Sequence, residues 1–262
     1  FRLKKDILFW IFIFLTIGLA ILTLVRYVPI EGITLDSALN EFLIYIGLFI
    51  AIFVSIFVGK EHSQGIIRNK IIVGHSRFSI FLANLIICII VSLLCELIYL
   101  AIIFLVGTPL LGQLQMTLSQ FIGILVNTIF IIISFCSIYN FVTMLCSEIT
   151  ISTTICIILF IAMFIAQGAF SLTAHSSKYI ENAFYDENGN KHIISQEIDP
   201  NYPGDQKVKT AKIIYLSIPQ GQAMEIKNNN LDSLQQMTIY SIILIVIINI
   251  LRVYIFSKKE LK

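Results

Sequence analysis

Long apolar segments alternate with short polar segments along the whole chain. Six of the apolar segments are long enough to cross a bilayer core as a helix, which takes about 20 residues. They cover residues 7–25, 42–58, 79–106, 118–145, 150–172 and 238–256. The pattern therefore predicts an all-α integral membrane protein with a single domain of six transmembrane helices, which we number spans 1 to 6.

The composition supports a membrane protein. Hydrophobic residues make up 57% of the 262 residues and charged residues only 13%, whereas a soluble domain carries about twice that charged fraction. Nothing in this balance points to a nucleic-acid partner. The cysteines all fall inside spans or at their ends without zinc-ligand spacing, so we expect neither disulfides nor a metal site. They are Cys88, Cys95, Cys136, Cys146 and Cys156.

The distribution of lysine and arginine predicts the orientation, because short loops rich in these residues stay in the cytoplasm. The N-terminal "FRLKKD" holds three of them, the stretch 59–78 holds four, and the C-terminal "SKKELK" holds three. The loops 26–41 and 107–117 together hold one, Arg26. Both ends and the stretch 59–78 are therefore expected in the cytoplasm, and the segment 173–237 is expected on the extracellular side.

The segment 173–237 is the one long stretch between spans. Within it, "FYDENGNKHII" is typical of a β-hairpin with Asn188-Gly189 as its turn. "DPNYPGD" indicates a loop, and Pro219 and Gly221 interrupt the half-apolar "YLSIPQGQAMEI". About 65 residues without disulfides bury little core. We therefore expect partly interfacial helices here and not an independent domain.

The loop between spans 2 and 3, "GKEHSQGIIRNKIIVGHSRFSI", has the pattern of a short amphipathic helix. Gly65 can end span 2, Gly74 suits the position after a helix, and Ser76 suits the N-cap of span 3. The apolar side is formed by Ile66, Ile67, Ile71, Ile72 and Val73, and the polar side by Arg68, Asn69 and Lys70. Alternatively, the basic residues serve only to fix the topology.

This loop resembles the one between spans 2 and 3 of the type-2 ABC-transporter permeases. That loop typically has Glu, three residues, Gly, two residues, Arg, and an apolar stretch ending near Gly-x-Ser-Arg. The matching positions are Glu61, Gly65, Arg68, Lys70, Gly74, Ser76 and Arg77. The six-span plan, the cytoplasmic ends and the long segment before span 6 extend the resemblance, as does "SIPQGQ".

In that family the loop carries a coupling helix that docks into a cleft on an ATP-binding subunit. The resemblance implies that Arg68 and Lys70 meet acidic groups of this subunit, and that Ile67 and Ile71 fill an apolar hollow. The full set of implied docking residues is Glu61, Gly65, Ile67, Arg68, Lys70, Ile71, Gly74 and Arg77. A second permease subunit, identical or related, is also implied.

The 262 residues contain no phosphate-binding G-x-x-x-x-G-K-[ST] motif. In "VGKE" the position of the magnesium-binding Ser or Thr is held by Glu61. We therefore expect no cofactor on this chain and no ATPase activity of its own, with ATP and Mg²⁺ bound by the partner subunit. A membrane-embedded enzyme is not favoured, because the four histidines lie outside spans or at their edges and form no H-E-x-x-H motif.

Polar and aromatic residues inside the spans are candidates for a transport path. Because spans 2 and 5 form the central seam of the permeases that this chain resembles, the candidates are Tyr45, Phe49, Thr154, Phe160, Phe164 and Gln167. Such polar groups more often hold helices together. Glu96 is the acidic residue well inside a span. It either contacts cargo or a proton, or it hydrogen-bonds within the bundle or near the outer interface.

The sequence as a whole favours the membrane-spanning subunit of an ABC exporter. The scarcity of charge indicates an amphipathic or hydrophobic cargo, such as a peptide, a drug-like molecule or a lipid. The resemblance favours peptide or antibiotic export across a bacterial plasma membrane. The alternative is a secondary, ion-coupled carrier that has no ATPase partner.

Overall fold

The computed structural model describes residues 6–30, 32–74, 76–146, 148–185 and 191–258. Its helices, in chain order, are α1 (Ile7–Tyr27), α2 (Leu35–Leu39), α3 (Phe42–Ser63), α4 (Ile66–Ile72), α5 (Arg77–Ile102), α6 (Thr108–Leu111), α7 (Leu118–Leu145), α8 (Ile149–Ala174), α9 (Asp205–Ser217), α10 (Pro219–Lys227) and α11 (Leu234–Lys258). A π-helix, Ile103–Gly107, joins α5 to α6, and a 3₁₀ turn, Leu231–Ser233, precedes α11. The strands β1 (Tyr179–Tyr185) and β2 (Lys191–Ile198) lie between α8 and α9.

Six helices in these described ranges are long and apolar enough to cross a membrane, and they confirm the six predicted spans. Spans 1, 2, 4, 5 and 6 are α1, α3, α7, α8 and α11, and span 3 is α5 continued through the π-helix into α6. The protein is thus an all-α, multi-pass membrane protein. The hydrophobic pattern did not predict the short helix α2 or the π-helix. Both adjoin a long apolar helix, so neither produces a separate apolar segment in the sequence.

Polar side chains at the helix starts explain where several spans begin. The Ser76 hydroxyl accepts a hydrogen bond of 3.1 Å from the Ser79 amide, which confirms Ser76 as the N-cap of span 3. At the start of span 4, Thr117 and Gln120 form a reciprocal capping box. These bonds satisfy amide groups that have no partner inside the helix.

Span 2 lies at the centre of the bundle, and spans 5 and 6 lie at its edge. Of the most apolar 18 residues of span 2, 67% are buried, whereas the corresponding share in span 5 is 11%. Span 2 packs against spans 4 and 5, span 4 packs against span 6, and span 1 packs against span 3. Gly47 permits the close approach at the centre, because a Cβ there would come within 3.0 Å of the rings of Phe135 and Phe160.

The segment between spans 5 and 6 contains the expected hairpin and two helices. β1 and β2 pair antiparallel with Tyr179 opposite Ile198, while the predicted turn at Asn188-Gly189 lies outside the described residues. α9 packs along span 5. At the start of α9, a hydrogen bond from Tyr202 and the nearby Lys178 hold the pKa of the Asp205 carboxyl below its usual value.

The helix α10 is buried among the spans, which the expectation of partly interfacial helices in this segment did not include. It packs against spans 2, 4 and 5, and Pro219 to Ala223 are all buried. Polar contacts make this possible. The Gln220 side-chain amide donates a 3.1 Å hydrogen bond to the Ile44 carbonyl at the start of span 2. Because buried amides cost little once they are hydrogen-bonded, a sequence rich in glutamine can pack inside.

Candidate functional site

The helix α4 connects spans 2 and 3 and is bounded by two glycines with left-handed backbone conformations. Gly65 has φ of 67° and Gly74 has φ of 101°, which only glycine adopts at low cost. A Cβ at either position would meet no atom within 4 Å, so backbone conformation and not space requires glycine here. The Gly65 carbonyl accepts the first helical hydrogen bond, from Asn69, at 3.0 Å. The predicted helix and its two glycine boundaries are therefore present.

A buried carboxylate holds α4 against the ends of spans 2 and 3. Lys70 Nζ lies 2.9 Å from Glu61 Oε1 and 3.0 Å from Oε2. The Asn84 side-chain amide, on span 3, donates a 2.8 Å hydrogen bond to the same Oε2. The Glu61 side chain is 3% exposed and that of Lys70 is 34% exposed. Buried and charge-assisted bonds of this kind are among the stronger ones in proteins.

This arrangement differs from two docking contacts that the resemblance implies, and docking itself stays a prediction. Glu61 and Lys70 were expected to face a partner, but they bind each other inside the chain. The reason is helical geometry, because Lys70 follows Ile67 by three residues and Ile66 by four, which places it on their face of the helix. Glu61 is buried at the end of span 2 and cannot reach a partner surface in this conformation.

The apolar residues of α4 are also divided differently from the expectation. Ile67 is 7% exposed and packs inward, and Ile71 is half-buried, so neither offers its full side chain to a hollow in a partner. Ile72 and Val73 are instead 73% and 78% exposed. Together with the exposed Arg68 and Asn69, they form what we call the exposed face of α4.

Asn84 was not selected from the sequence, and Ile72 and Val73 were expected on the apolar side of the helix but not among the docking residues. A helical projection of residues 66–73 would have placed Arg68, Asn69, Ile72 and Val73 on one side, because they are spaced at i, i+1, i+4 and i+5. No local signal marks Asn84, since its partner lies 23 residues away. The side chain of Arg77 and all of His75 lie outside the described residues.

The candidate path residues do not gather at one site. Phe49 lies edge-on to Phe12 of span 1 and to Phe42, with ring centroids 5.5 Å apart in each case. Phe160 and Gln167 are buried, the former beside Gly47. The remaining candidates on spans 2 and 5, Tyr45, Thr154 and Phe164, are exposed on the surface of the chain. A path along spans 2 and 5 stays a prediction.

Glu96 is buried near the middle of span 3, with 5% of its surface exposed. Within the part of the chain that the structure describes, its Oε2 atom has no hydrogen-bond partner. The prediction that Glu96 only bonds to a polar neighbour is thus not supported for this oxygen. A carboxyl group at this depth is costly and is commonly functional.

No protein-family model, no curated protein and no solved structure matches this chain. The functional assignment of this site therefore rests on its geometry. A solvent-facing helix, α4, is joined to two membrane spans through one buried carboxylate, that of Glu61.

Proposed function

We propose that this chain is the membrane-spanning subunit of an ATP-driven ABC exporter and that α4 docks onto a separate ATP-binding subunit. One observation carries the proposal. α4 is fixed to the ends of two spans on one side, through Ile67 and Lys70, and presents its exposed face on the other. A short helix held in this way can pass the movement of a soluble partner to the membrane spans.

The chemistry of the exposed face supports a protein partner. Ile72 and Val73 leave most of their apolar surface in contact with solvent next to the exposed Arg68. Apolar anchors surrounded by polar and charged groups are typical of protein interfaces, where the rim charges steer association. The partner surface is expected to have an apolar hollow with acidic residues at its edge.

The remaining parts of the proposal follow from the energy source. ATP and Mg²⁺ bind to the partner, because these 262 residues hold no phosphate loop. A second permease subunit, identical or related, packs beside span 5, which is little buried in the single chain. The cargo is amphipathic or hydrophobic, such as a peptide or an antibiotic, and the complex lies in a bacterial plasma membrane.

The proposed topology places α4 in the cytoplasm and α9 outside. Single cysteines at the exposed Ser63 and Asn201, with Cys146 replaced by serine, should react with a membrane-impermeant maleimide from opposite sides. The other four cysteines are buried and should stay silent. In intact cells we expect Asn201→Cys to label and Ser63→Cys to label only after permeabilisation. Labelling of both from outside would contradict the topology.

Docking is tested by changing the exposed face of α4 without changing the contacts among Glu61, Lys70 and Asn84 beneath it. In the double variant Arg68→Glu with Ile72→Ser, we expect affinity purification from the host's own membranes to recover at least about tenfold less of an ATP-binding protein that carries a phosphate loop. Membrane levels of the chain itself should stay at those of the parent, because both side chains are exposed. The recovered ATP-binding protein is identified by mass spectrometry and its ATP hydrolysis is measured in the complex.

A matched control makes the same two chemical changes on α9, where Lys209→Glu is combined with Ile213→Ser. Both residues are exposed, and the proposed topology places them on the other side of the membrane. This variant should recover the ATP-binding protein at the parental level. If the parent recovers no such protein, the proposed function is wrong. If the α4 variant recovers it fully, the exposed face of α4 is not the docking surface.

A second candidate function, a secondary carrier, is favoured by Glu96 alone. A buried intramembrane carboxyl with an unpartnered oxygen could bind and release a proton. In reconstituted vesicles an exporter should transport with ATP and without a proton gradient, and Glu96→Gln should keep at least half of that rate. Transport that needs a proton gradient, and that Glu96→Gln abolishes, would establish the carrier instead.

A further inference from the structure

α4 would be a loose element if only its chain connections held it. It has seven residues, which is too short for a stable isolated helix. At both of its ends the chain passes through a glycine with positive φ whose Cβ position is empty of neighbours. Ile67 and the half-buried Ile71 pack against the core on one face of α4 only. This apolar packing is small, so we expect the polar contacts that α4 makes with spans 2 and 3 to contribute much to its position.

The Glu61 carboxylate supplies these contacts. It accepts both bonds from Lys70, which lies nine residues further on, so that the pair closes a loop around Gly65 and most of α4. It also accepts the bond from Asn84, which is 1% exposed and belongs to span 3. One buried group on span 2 thus binds α4 and span 3 at the same time.

We propose that Glu61, Lys70 and Asn84 form a brace that makes α4 and the adjoining ends of spans 2 and 3 move as one body. The three are positioning residues and touch neither cargo nor nucleotide. A displacement of the exposed face of α4 then reaches both spans through short, buried bonds and not through the two glycine connections. This transmitting role rests on the proposed function, whereas the rigidity of the brace does not.

A neighbouring ion pair provides the control. Lys60 Nζ lies 3.4 Å from Asp6 Oδ1 and joins the end of span 2 to the start of span 1. The Lys60 side chain is 31% exposed, close to the 34% of Lys70. Lys60→Met and Lys70→Met therefore remove the same charge from similar surroundings, but only the second removes the brace.

Rigidity is measured by amide hydrogen exchange of residues 66–74 in the purified chain in lipid nanodiscs. We expect Lys70→Met and Asn84→Leu to speed this exchange at least about tenfold, and Lys60→Met to leave it within about twofold of the parent. The charge-swapped double variant, Glu61→Lys with Lys70→Glu, should restore most of the protection. Should Lys70→Met fail to insert, Lys70→Gln carries the same expectation. Parental exchange in the Lys70 and Asn84 variants would overturn the brace.

The transmission of movement from α4 to the spans is tested in the complex with the ATP-binding protein, where cargo-stimulated ATP hydrolysis is measured. Lys70→Met should recover that protein at close to the parental level, because the exposed face is unchanged, but should lose most of the cargo-stimulated ATP hydrolysis. Lys60→Met should keep it. Parental stimulation in Lys70→Met, together with fast exchange, would show that the brace is structural only. If the parent recovers no ATP-binding protein, the proposed function fails, while the exchange comparison still decides whether the brace exists.

Discussion

Replacing Gly221 with alanine is expected to prevent α10 from docking in the bundle. The added methyl group would overlap the carbonyl oxygen of Tyr215 and come 3.3 Å from that residue's ring. The obstacle is backbone, which no rotamer change can remove. The neighbouring turn cannot yield either, because the amides of Gly221 and Gln222 both bond to the Ile218 carbonyl, at 2.9 and 3.1 Å. We expect a loss of about 3 kcal/mol or more.

The destabilisation is detected as a lower midpoint of thermal aggregation in detergent. The protein that stays soluble at each temperature is quantified by size-exclusion chromatography. The matched control is Gly168→Ala, in span 5, where an added Cβ meets nothing within 4 Å. Alanine there should leave the midpoint unchanged or raise it slightly, since alanine favours a helix over glycine by about 1 kcal/mol. Equal midpoints for Gly221→Ala and Gly168→Ala would mean that α10 is not packed as described.

The spans could be predicted from the sequence because each is decided by a local property. A run of about 20 apolar residues favours a membrane-spanning helix, and the predicted segment 118–145 matches Leu118–Leu145 in the structure. Ser76 and Gly74 were likewise predictable, because capping depends on neighbouring residues. Glu41 shows the opposite case. It accepts a 2.8 Å bond from the Tyr27 hydroxyl and lies 4.0 Å from Lys227, contacts that no local pattern contains.

The burial of α10 could not be predicted for a related reason. "SIPQGQAMEI" contains two glutamines and one glutamate, which a hydropathy pattern places at a surface. Their partners come from distant parts of the chain. The Gln220 amide bonds 176 positions away, to Ile44. Glu225 lies 3.0 Å from His175 at the end of span 5, which is 50 positions away. Only the folded arrangement of the spans makes these polar groups suitable for the interior.

At the candidate site, the sequence predicted the element but not the direction in which its side chains point. The helix, its glycine boundaries and its place between spans 2 and 3 follow from local chemistry. The role of Lys70 depends on Glu61 being buried, and that burial depends on span 3 bringing Asn84 beside it. Lys70 was therefore expected to contact a partner subunit, whereas in the structure it binds Glu61 of its own chain.

The Gln222 side chain joins three parts of the α10 side of the bundle. Its amide donates to the carbonyl of Leu216, at the end of α9, over 2.7 Å, and to that of Met237, in span 6, over 3.2 Å. Its oxygen accepts a 2.7 Å bond from the Ser241 hydroxyl, also in span 6. Gln222 is 1% exposed, so water cannot replace these bonds if the side chain is removed.

Gln222→Leu should therefore destabilise the bundle by about 2–4 kcal/mol, because it preserves the approximate volume of the side chain but removes the buried partner of the Ser241 hydroxyl and of the Leu216 carbonyl. In a chain of this size such a loss lowers the unfolding midpoint by roughly 5–15 °C.

The control is Gln236→Leu, the same change at an exposed position next to Met237, which should shift the midpoint by no more than about 2 °C. The double variant Gln222→Leu with Ser241→Ala should be less destabilised than the sum of its single variants, because it removes both ends of one bond. Strict additivity would show that the bond between Gln222 and Ser241 contributes nothing, and a parental midpoint in Gln222→Leu would show that α10 is held to span 6 by packing alone.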